Sequence, residues 1–214
     1  IRKKHGADVE CYGLAMPLIT KADGTKFGKT ESGTVWLDPK KTSPYEMYQF
    51  LVNAEDAKVV EYLKRLTFLD KEEIERLEEC VKNEPHLREA QKVLGREVVT
   101  FLHGSDAYET ALKITNALFR GNIRELSADE QRDALSSMEK VQVSEAMDLA
   151  STLVSAKIAS SKREAREWIK SGSIQINGEK VQDETRVIDA SSALVDDMIL
   201  IKRGKRNYYV LTFA

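Results

Sequence analysis

The feature that most restricts the fold of this chain is a succession of apolar stripes with helical spacing between residues 42 and 136. The first stripe follows Ser43-Pro44-Tyr45-Glu46, in which an N-cap serine, a proline and a glutamate form a capping box. Four more stripes follow, and Ser127-Ala128-Asp129-Glu130 caps a sixth helix. The residues of the five stripes are Met47, Phe50, Leu51, Ala54; Val59, Val60, Leu63, Leu66; Ile74, Leu77, Val81; Leu87, Ala90, Leu94, Val98; and Tyr108, Ala111, Leu112, Thr115, Phe119. This pattern predicts a compact all-α domain over residues 36–136, and none of its stripes needs a ligand.

The pattern changes after residue 136. Residues 137–143 lose the helical spacing, and we expect a linker there. The predicted elements beyond it are a helix from Ser144, a helix opened by the capping box Ser161-Lys162-Arg163-Glu164 and ended at Gly172, a hairpin turning at Asn177-Gly178, and a hairpin whose basic turn runs from Lys202 to Asn207. They predict a small α+β domain over residues 144–214.

The first 35 residues contain a short apolar run followed by a polar loop. The run from Leu14 to Thr20 predicts a strand, and Pro17 favours an edge or bulged position. The loop Asp23-Gly24-Thr25-Lys26-Phe27-Gly28-Lys29-Thr30 combines mobile glycines with two lysines, which can meet a phosphate as point charges. One strand and one loop cannot form a core, so we expect residues 1–35 to be the end of a larger domain that begins before Ile1.

A Walker A loop is the first alternative for these lysines. Its ending fits Gly28-Lys29-Thr30, but the first glycine of that motif falls on Asp23. The residues from Glu31 onward are also a poor helix opening, so no helix N-terminus is available to receive phosphates. What remains is a Lys-x-x-Lys-Ser/Thr pattern over residues 26–30.

Composition excludes several classes of protein. The chain has 42% hydrophobic and 32% charged residues, as soluble globular proteins do, and it has no apolar run of about 18 residues that could span a membrane. It has no signal-peptide-type segment and does not begin with Met, so we expect a fragment or a processed chain from the cytoplasm. Cys11 and Cys80 lack metal-type spacing, and we expect reduced thiols and no metal site.

The charge is unevenly distributed. Residues 157–214 contain 11 Lys and Arg against 8 Asp and Glu, whereas the whole chain has a net charge of −2. In the helix opened by Ser161, Lys162, Arg166 and Lys170 span an arc of about 80°, and Arg163 extends it to about 100°. Such a face is most often only solvated, but the glycine, the hairpin and the basic turn that follow favour RNA binding.

Residues 18–33 resemble the KMSKS region of the bacterial tyrosyl-tRNA synthetases, a family of class I aminoacyl-tRNA synthetases. Phe27-Gly28 replaces Met-Ser of the general signature, which is the form that the tyrosyl branch favours. The similarity continues, in order, through Trp36-Leu37-Asp38, Lys41 to Phe50, Ala90-Gln91-Lys92 with Leu94, and His103-Gly104. It covers nearly the whole chain.

This resemblance implies a function. Lys26 and Lys29 would bind the ATP phosphates and act in catalysis together with Thr30. ATP would enter Mg-bound as a substrate, with no permanent cofactor, and the other partners would be tyrosine and tRNA-Tyr, not DNA or a membrane. The family also implies a homodimeric full-length enzyme. His5, His86 and His103 form no HIGH-type motif, so we expect the 214-residue chain to be inactive in tyrosine activation by itself.

The resemblance also implies the fold: a remnant of a Rossmann-like catalytic domain over residues 1–35, an anticodon-binding helical domain, and an RNA-binding domain at the end. Residues 160–181 resemble the alpha-L RNA-binding motif of small-subunit ribosomal protein S-four, in which a helix and a hairpin edge contact RNA. In this chain Lys162, Arg163, Arg166 and Lys170 would make those contacts. The alternative is a non-enzymatic RNA-binding protein, which would have no use for the loop between Leu18 and Gly33.

Overall fold

The computed structural model describes residues 4, 12–30, 33–136, 138–204 and 207–213. Its α-helices are α1 (Pro44–Val52), α2 (Asp56–Leu66), α3 (Lys71–Asn83), α4 (Glu89–His103), α5 (Ser105–Arg120), α6 (Ala128–Ser136), α7 (Leu149–Ser155) and α8 (Lys162–Lys170). Its strands are β1 (Lys29–Thr30), β2 (Gly33–Thr34), β3 (Lys140–Val143), β4 (Met147–Asp148), β5 (Ile174–Ile176), β6 (Glu179–Lys180), β7 (Val187–Ile188), β8 (Met198–Arg203) and β9 (Asn207–Phe213). None of these helices is long and apolar enough to cross a membrane, and no group of three metal-ligating side chains occurs among the described residues.

Helices α1 to α6 form the helical unit, and α1 and α6 begin at the two predicted capping boxes. The Ser43 hydroxyl accepts the Glu46 N–H at 3.1 Å, and the Glu46 carboxylate accepts the Ser43 N–H at 2.9 Å, so the capping box is confirmed. Asp70 caps α3 with a single bond, accepting the Glu73 N–H at 2.8 Å. The helices pack around α4, which contacts α1, α2, α3 and α5.

Two residues of the predicted stripes lie outside the core. Leu87 belongs to a 3-10 turn, Pro85–Leu87, and is exposed, because Arg88 adopts a left-handed conformation (φ 51°) and α4 starts only at Glu89. Phe119 lies in the last turn of α5 and is also exposed. Helical spacing identifies a face, but it does not show where the neighbouring helices stop covering that face.

The buried tyrosines of the helical unit make its stability sensitive to high pH. Burial, with Tyr108 nearby, raises the pKa of Tyr48 to about 12, and burial also raises the pKa of Tyr45. A tyrosine in the unfolded chain ionises near pH 10. The contribution of the protonated, buried tyrosine to the free energy of unfolding is therefore complete below pH 10 and is lost as the pH rises toward 12. We expect the urea midpoint to fall across this window, and to fall less steeply in Tyr48→Phe. Parallel curves for the two proteins would contradict this expectation.

Residues after 138 form the sheet unit. Its main sheet has five strands in the order β3-β9-β8-β5-β6, with β3 parallel to β9 and the other neighbours antiparallel, and α7 and α8 cover one face. Strands β4 and β7 form a separate antiparallel pair. The predicted hairpins at Asn177-Gly178 and between β8 and β9 are confirmed. Asn177 (φ 51°) and Gly178 (φ 86°) both adopt the left-handed conformation that a two-residue I′ turn requires.

Three predictions about local structure differ from the structure. The expected linker over 137–143 overlaps β3, which pairs with β9. The helix expected from Ser144 starts at Leu149, where Asp148 is the N-cap, and Met147 belongs to β4. The strand expected from Leu14 to Thr20 makes no ladder within the described residues; Thr20 forms only an isolated bridge with Lys26. Strands β3 and β4 pair with β9 and β7, which lie far away in sequence, and local spacing does not reveal such partners.

Candidate functional site

In the loop between Ile19 and Val35, which we call the lysine loop, residues 21–25 and 26–29 form two tight turns. The Asp23 carboxylate accepts the N–H and the hydroxyl of Thr25 at 2.8 and 2.6 Å, and these bonds lower its pKa. The Phe27 N–H donates to the Ile19 carbonyl at 3.1 Å. Gly24 and Gly28 have φ near +82° and +84°, a conformation that glycine adopts without strain.

The two predicted phosphate-binding lysines lie on the outer side of this loop. Lys26 pairs with Thr20 in the isolated bridge and Lys29 lies in β1, and both are exposed. Neither ammonium has an ion-pair partner within the part of the chain that the structure describes. Thr30 follows in β1, opposite Gly33, and its side chain lies outside the described residues. Both ammonium groups are therefore accessible to an anion from solvent.

Phe27 anchors the lysine loop to the helical unit. Its ring lies 4.2 Å from the ring of Tyr62 on α2 and 4.9 Å from that of Phe50 on α1, centroid to centroid. The Tyr62 hydroxyl donates to the Thr20 carbonyl at 3.0 Å, and the Glu55 carboxylate accepts the Ala22 N–H at 3.2 Å. Sequence reasoning missed this anchor, although an aromatic residue in so polar a loop was a signal for it.

The turn that carries Glu55 is itself held by α4. The Arg88 guanidinium donates to the carbonyls of Val52 and Ala54 at 2.9 and 2.8 Å, and the buried amide of Gln91 donates to the carboxylate of Asp56. A chain of direct contacts therefore runs from α4 through the α1–α2 turn to the lysine loop.

A cleft of about 680 Å³ lies between the lysine loop and α1. Its walls carry both charges, positive from Lys21 and Lys41 and negative from Glu46 and Glu55. Phe27 and Tyr62 form its apolar part. The cleft lies beside the contact between Phe27 and Tyr62, where the lysine loop is attached to the helical unit.

The four predicted RNA-binding residues lie together on α8. Lys162, Arg163, Arg166 and Lys170 are all exposed, while Ala165 and Ile169 on the opposite side are buried. Arg163 forms an ion pair with Glu167, and Arg166 forms one with Glu184, each at 3.4 Å. The Arg163–Glu167 pair is exposed and weak, so it can be exchanged for a phosphate contact. The Glu184 Oε2 atom that meets Arg166 is itself buried and accepts no hydrogen bond from the described residues.

Arg203 fixes α8 to the sheet, although the sequence placed it in a basic turn. Its guanidinium lies 4.5 Å from the Trp168 ring and 6.0 Å from the Tyr209 ring, and it donates to the Ile158 carbonyl at 3.0 Å. The basic face of α8 is thus held in a defined orientation. Stacking of a guanidinium on aromatic rings explains why an arginine is suited to this position.

Two families match the chain over most of its length. Residues 1–120 match the family described as tRNA synthetases class I (W and Y). Residues 130–211 match the family described as the tyrosine–tRNA ligase SYY-like C-terminal domain. The first match includes the lysine loop and α1 to α5, and the second includes nearly all of the sheet unit.

Individual relatives show the same similarity. The chain is 48% identical to the tyrosine–tRNA ligase of Staphylococcus carnosus over 214 residues and 48% identical to that of Bacillus pumilus over 216 residues; each alignment covers all of this chain and 51% of the relative. The chain thus spans about half the length of these relatives. Among solved structures, a C-terminally truncated mitochondrial tyrosyl-tRNA synthetase of Coccidioides posadasii is 40% identical, with a TM-score of 0.41 over 47% of this chain and 26% of that one. A solution structure of a tyrosyl-tRNA synthetase C-terminal domain is 38% identical, with a TM-score of 0.36 over 46% of this chain and 100% of that one.

Proposed function

The chain belongs to the class I tRNA synthetases for tryptophan and tyrosine, in their tyrosine branch, and we propose that it is part of a tyrosine–tRNA ligase. In the proposed enzyme, tyrosine is activated by ATP and transferred to tRNA-Tyr. The observation that carries this proposal is a pair of exposed lysines, without an ion pair to any described residue, on a loop anchored to the helical unit. That loop lies within the segment that matches the synthetase family.

The chemistry of the lysine loop supports an adenylate-forming reaction. When the carboxylate of tyrosine attacks the α-phosphate of ATP, negative charge grows on the departing pyrophosphate. Lys26 and Lys29 would meet that charge, and the hydroxyl of Thr30 would donate to it. ATP would enter with Mg as a substrate, and no permanent cofactor is part of this proposal.

The domain roles follow from the same proposal. Residues 1–35 would be the end of a Rossmann-like catalytic domain, residues 36–136 an anticodon-binding domain, and residues 144–214 an alpha-L-type RNA-binding domain. The partners would be ATP, tyrosine and tRNA-Tyr but not DNA, and the whole enzyme would be a cytoplasmic homodimer. The non-enzymatic alternative has no support, since the synthetase match extends through the lysine loop.

The proposal that this chain supplies only part of the active site can be tested by ATP–pyrophosphate exchange. Lys26 and Lys29 can stabilise a leaving group only when another part of the enzyme binds tyrosine and the adenosine of ATP. We expect no ATP–pyrophosphate exchange by the 214-residue chain, and exchange by the whole protein, meaning this chain joined to the corresponding first half of the Staphylococcus carnosus relative. Exchange by the 214 residues alone, or none by the joined protein, would refute the proposed assignment.

Replacing Arg166 by alanine tests the RNA-binding role of α8. Arg166 is exposed and its partner Glu184 lies in another segment, so helix content should stay unchanged. We expect weaker binding of tRNA-Tyr, with a slope of log K against log salt reduced by about one unit for each phosphate that is no longer neutralised. Glu167→Ala on the same helix is the matched control and should leave that slope unchanged. An unchanged dissociation constant in Arg166→Ala would remove α8 from the RNA interface.

A further inference from the structure

The sheet unit is covered on both of its faces. Ile199 and Ile201 of β8 belong to the core shared with α7 and α8, while Met198 and Leu200 belong to the core of the helical unit. On β9, Val210 faces the helical unit in the same way. Undocking would expose this second apolar face to water, which opposes separation of the two units.

Lys202 continues the face that meets the helical unit, and its side chain ends at the C-terminus of α5. It is 6% exposed, and its ammonium donates to the carbonyls of Leu118 and Phe119 at 3.0 and 3.2 Å. The Tyr208 hydroxyl donates to the same Leu118 carbonyl at 3.1 Å. The last carbonyls of a helix lack intrahelical donors and carry partial negative charge, so a lysine from β8 completes a helix of the other unit.

Polar contacts at the rim fix the rotation of one unit on the other. The Arg132 guanidinium on α6 forms two hydrogen bonds to the Asp196 carboxylate, at 2.8 and 3.0 Å. Such a bidentate contact restricts the relative orientation of the guanidinium and the carboxylate. Arg124 adds a bond of 3.3 Å to the Asn177 carbonyl.

The two backbones touch at a pair of glycines. A Cβ placed on Gly178 would lie 2.0 Å from the Gly121 carbonyl oxygen, so only glycine permits this approach. The Asn177-Gly178 turn is therefore part of the contact between the units, and Asn177 is 3% exposed. This turn is therefore not available to RNA, whereas both residues of the edge strand β6 in the same hairpin are exposed.

We propose that the sheet unit is docked on the helical unit as one body, and that Lys202 is the positioning residue that holds the two RNA-binding surfaces in register. The second half of this statement rests on the proposed function. A tRNA that contacts both units binds only to molecules in which the two units have the correct orientation. The apparent dissociation constant therefore rises as the fraction of docked molecules falls.

Docking itself can be measured without RNA. Cysteines introduced at Asn116 of α5 and Ser155 of α7, in a chain whose Cys11 and Cys80 are replaced, can carry nitroxide labels. Double electron–electron resonance then measures the distance between the two units. We expect one narrow distance in the parent chain, and a broad distribution in Lys202→Met. Lys180→Met is the matched control because Lys180 is an exposed lysine of the same sheet, and it should keep the narrow distance. A parent distribution that is already broad, or one that Lys202→Met leaves narrow, would overturn the proposal.

The Arg132–Asp196 pair gives a second route that does not touch the core. Arg132→Asp alone should broaden the distribution by placing like charges together, and adding Asp196→Arg should narrow it again. Failure of the double variant to restore the narrow distance would count against a docked state that depends on this orientation.

Binding of tRNA-Tyr separates positioning from direct contact. We expect Lys202→Met to raise the dissociation constant about tenfold, the result of a docked fraction reduced to about a tenth, with an unchanged salt slope. A slope lowered by about one unit would mean that Lys202 contacts phosphate, and an unchanged dissociation constant would mean that docking does not serve RNA; either overturns the positioning role. If the parent chain fails to bind tRNA-Tyr, the proposed function fails, while the distance measurement still decides docking.

Discussion

Replacing Lys29 by alanine in the whole protein is expected to lower the rate of tyrosine activation by about 10²–10³-fold, the usual cost of removing one preorganised contact to transition-state charge. The exposed ammonium makes no ion pair with any described residue, so its removal should leave folding unchanged. The measurement is ATP–pyrophosphate exchange at saturating tyrosine and ATP. A change confined to the KM for ATP would show that Lys29 only binds the ground state.

The matched control for this experiment is Lys40→Ala. Lys40 is an exposed lysine outside the lysine loop, and its backbone N–H donates to the Asp38 carboxylate. It should keep the parent rate, while Lys26→Ala should lose activity as Lys29→Ala does. Binding of tRNA-Tyr should be equal in all of these proteins, because the surfaces of α8 are unaltered. A rate for Lys29→Ala within about twofold of Lys40→Ala would contradict the assigned role, since that role predicts a far larger difference.

Replacing Phe27 by alanine is expected to lower the activation rate by about tenfold to a hundredfold because the anchor is removed. Each of its two ring contacts is worth about 0.5–1.5 kcal/mol beyond simple burial, and about 1.4 kcal/mol corresponds to a factor of ten. Without them the lysine loop would spend less time in the position where both lysines meet the phosphates. The readout is the exchange rate, together with the protease sensitivity of the loop.

Phe27→Met gives the control for this second experiment. Methionine occupies the same place in the general KMSKS signature and can fill an apolar gap between Phe50 and Tyr62. We expect Phe27→Met to keep most of the parent's rate of ATP–pyrophosphate exchange. Glu55→Gln should have a smaller effect, because the amide oxygen can still accept the Ala22 N–H. Equal reductions in the alanine and methionine variants would show that the ring acts in some way other than anchoring the loop.

Features that act within one or two turns were predicted from the sequence. The capping residues Ser43 and Ser161 stand at the starts of α1 and α8 in the structure. The turn at Asn177-Gly178 was equally clear, because its conformation depends on two residues. The lysines of the loop and of α8 were visible as charge patterns, and their roles in catalysis and RNA binding stay predictions.

Features that depend on distant partners were not predicted. The range predicted as a linker, residues 137–143, overlaps β3, which pairs with β9 far later in the chain, and no local pattern reveals a parallel partner. The anchor of Phe27 needed the positions of Phe50 and Tyr62. One such feature could have been predicted. The run Met198-Ile199-Leu200-Ile201 has no alternation of polar and apolar residues, which indicates a strand that is buried on both faces.

The sequence by itself determined the local elements, the phosphate-type loop and the basic face of α8, because caps, turns and helical spacing depend on neighbouring residues. Only the tertiary structure decided what the lysines of the sheet unit do. Lys202 looked like part of an RNA-binding turn, yet it is buried on the carbonyls of α5. A charge on a strand faces solvent or a partner according to which unit covers that face, and that depends on packing between residues 84 positions apart.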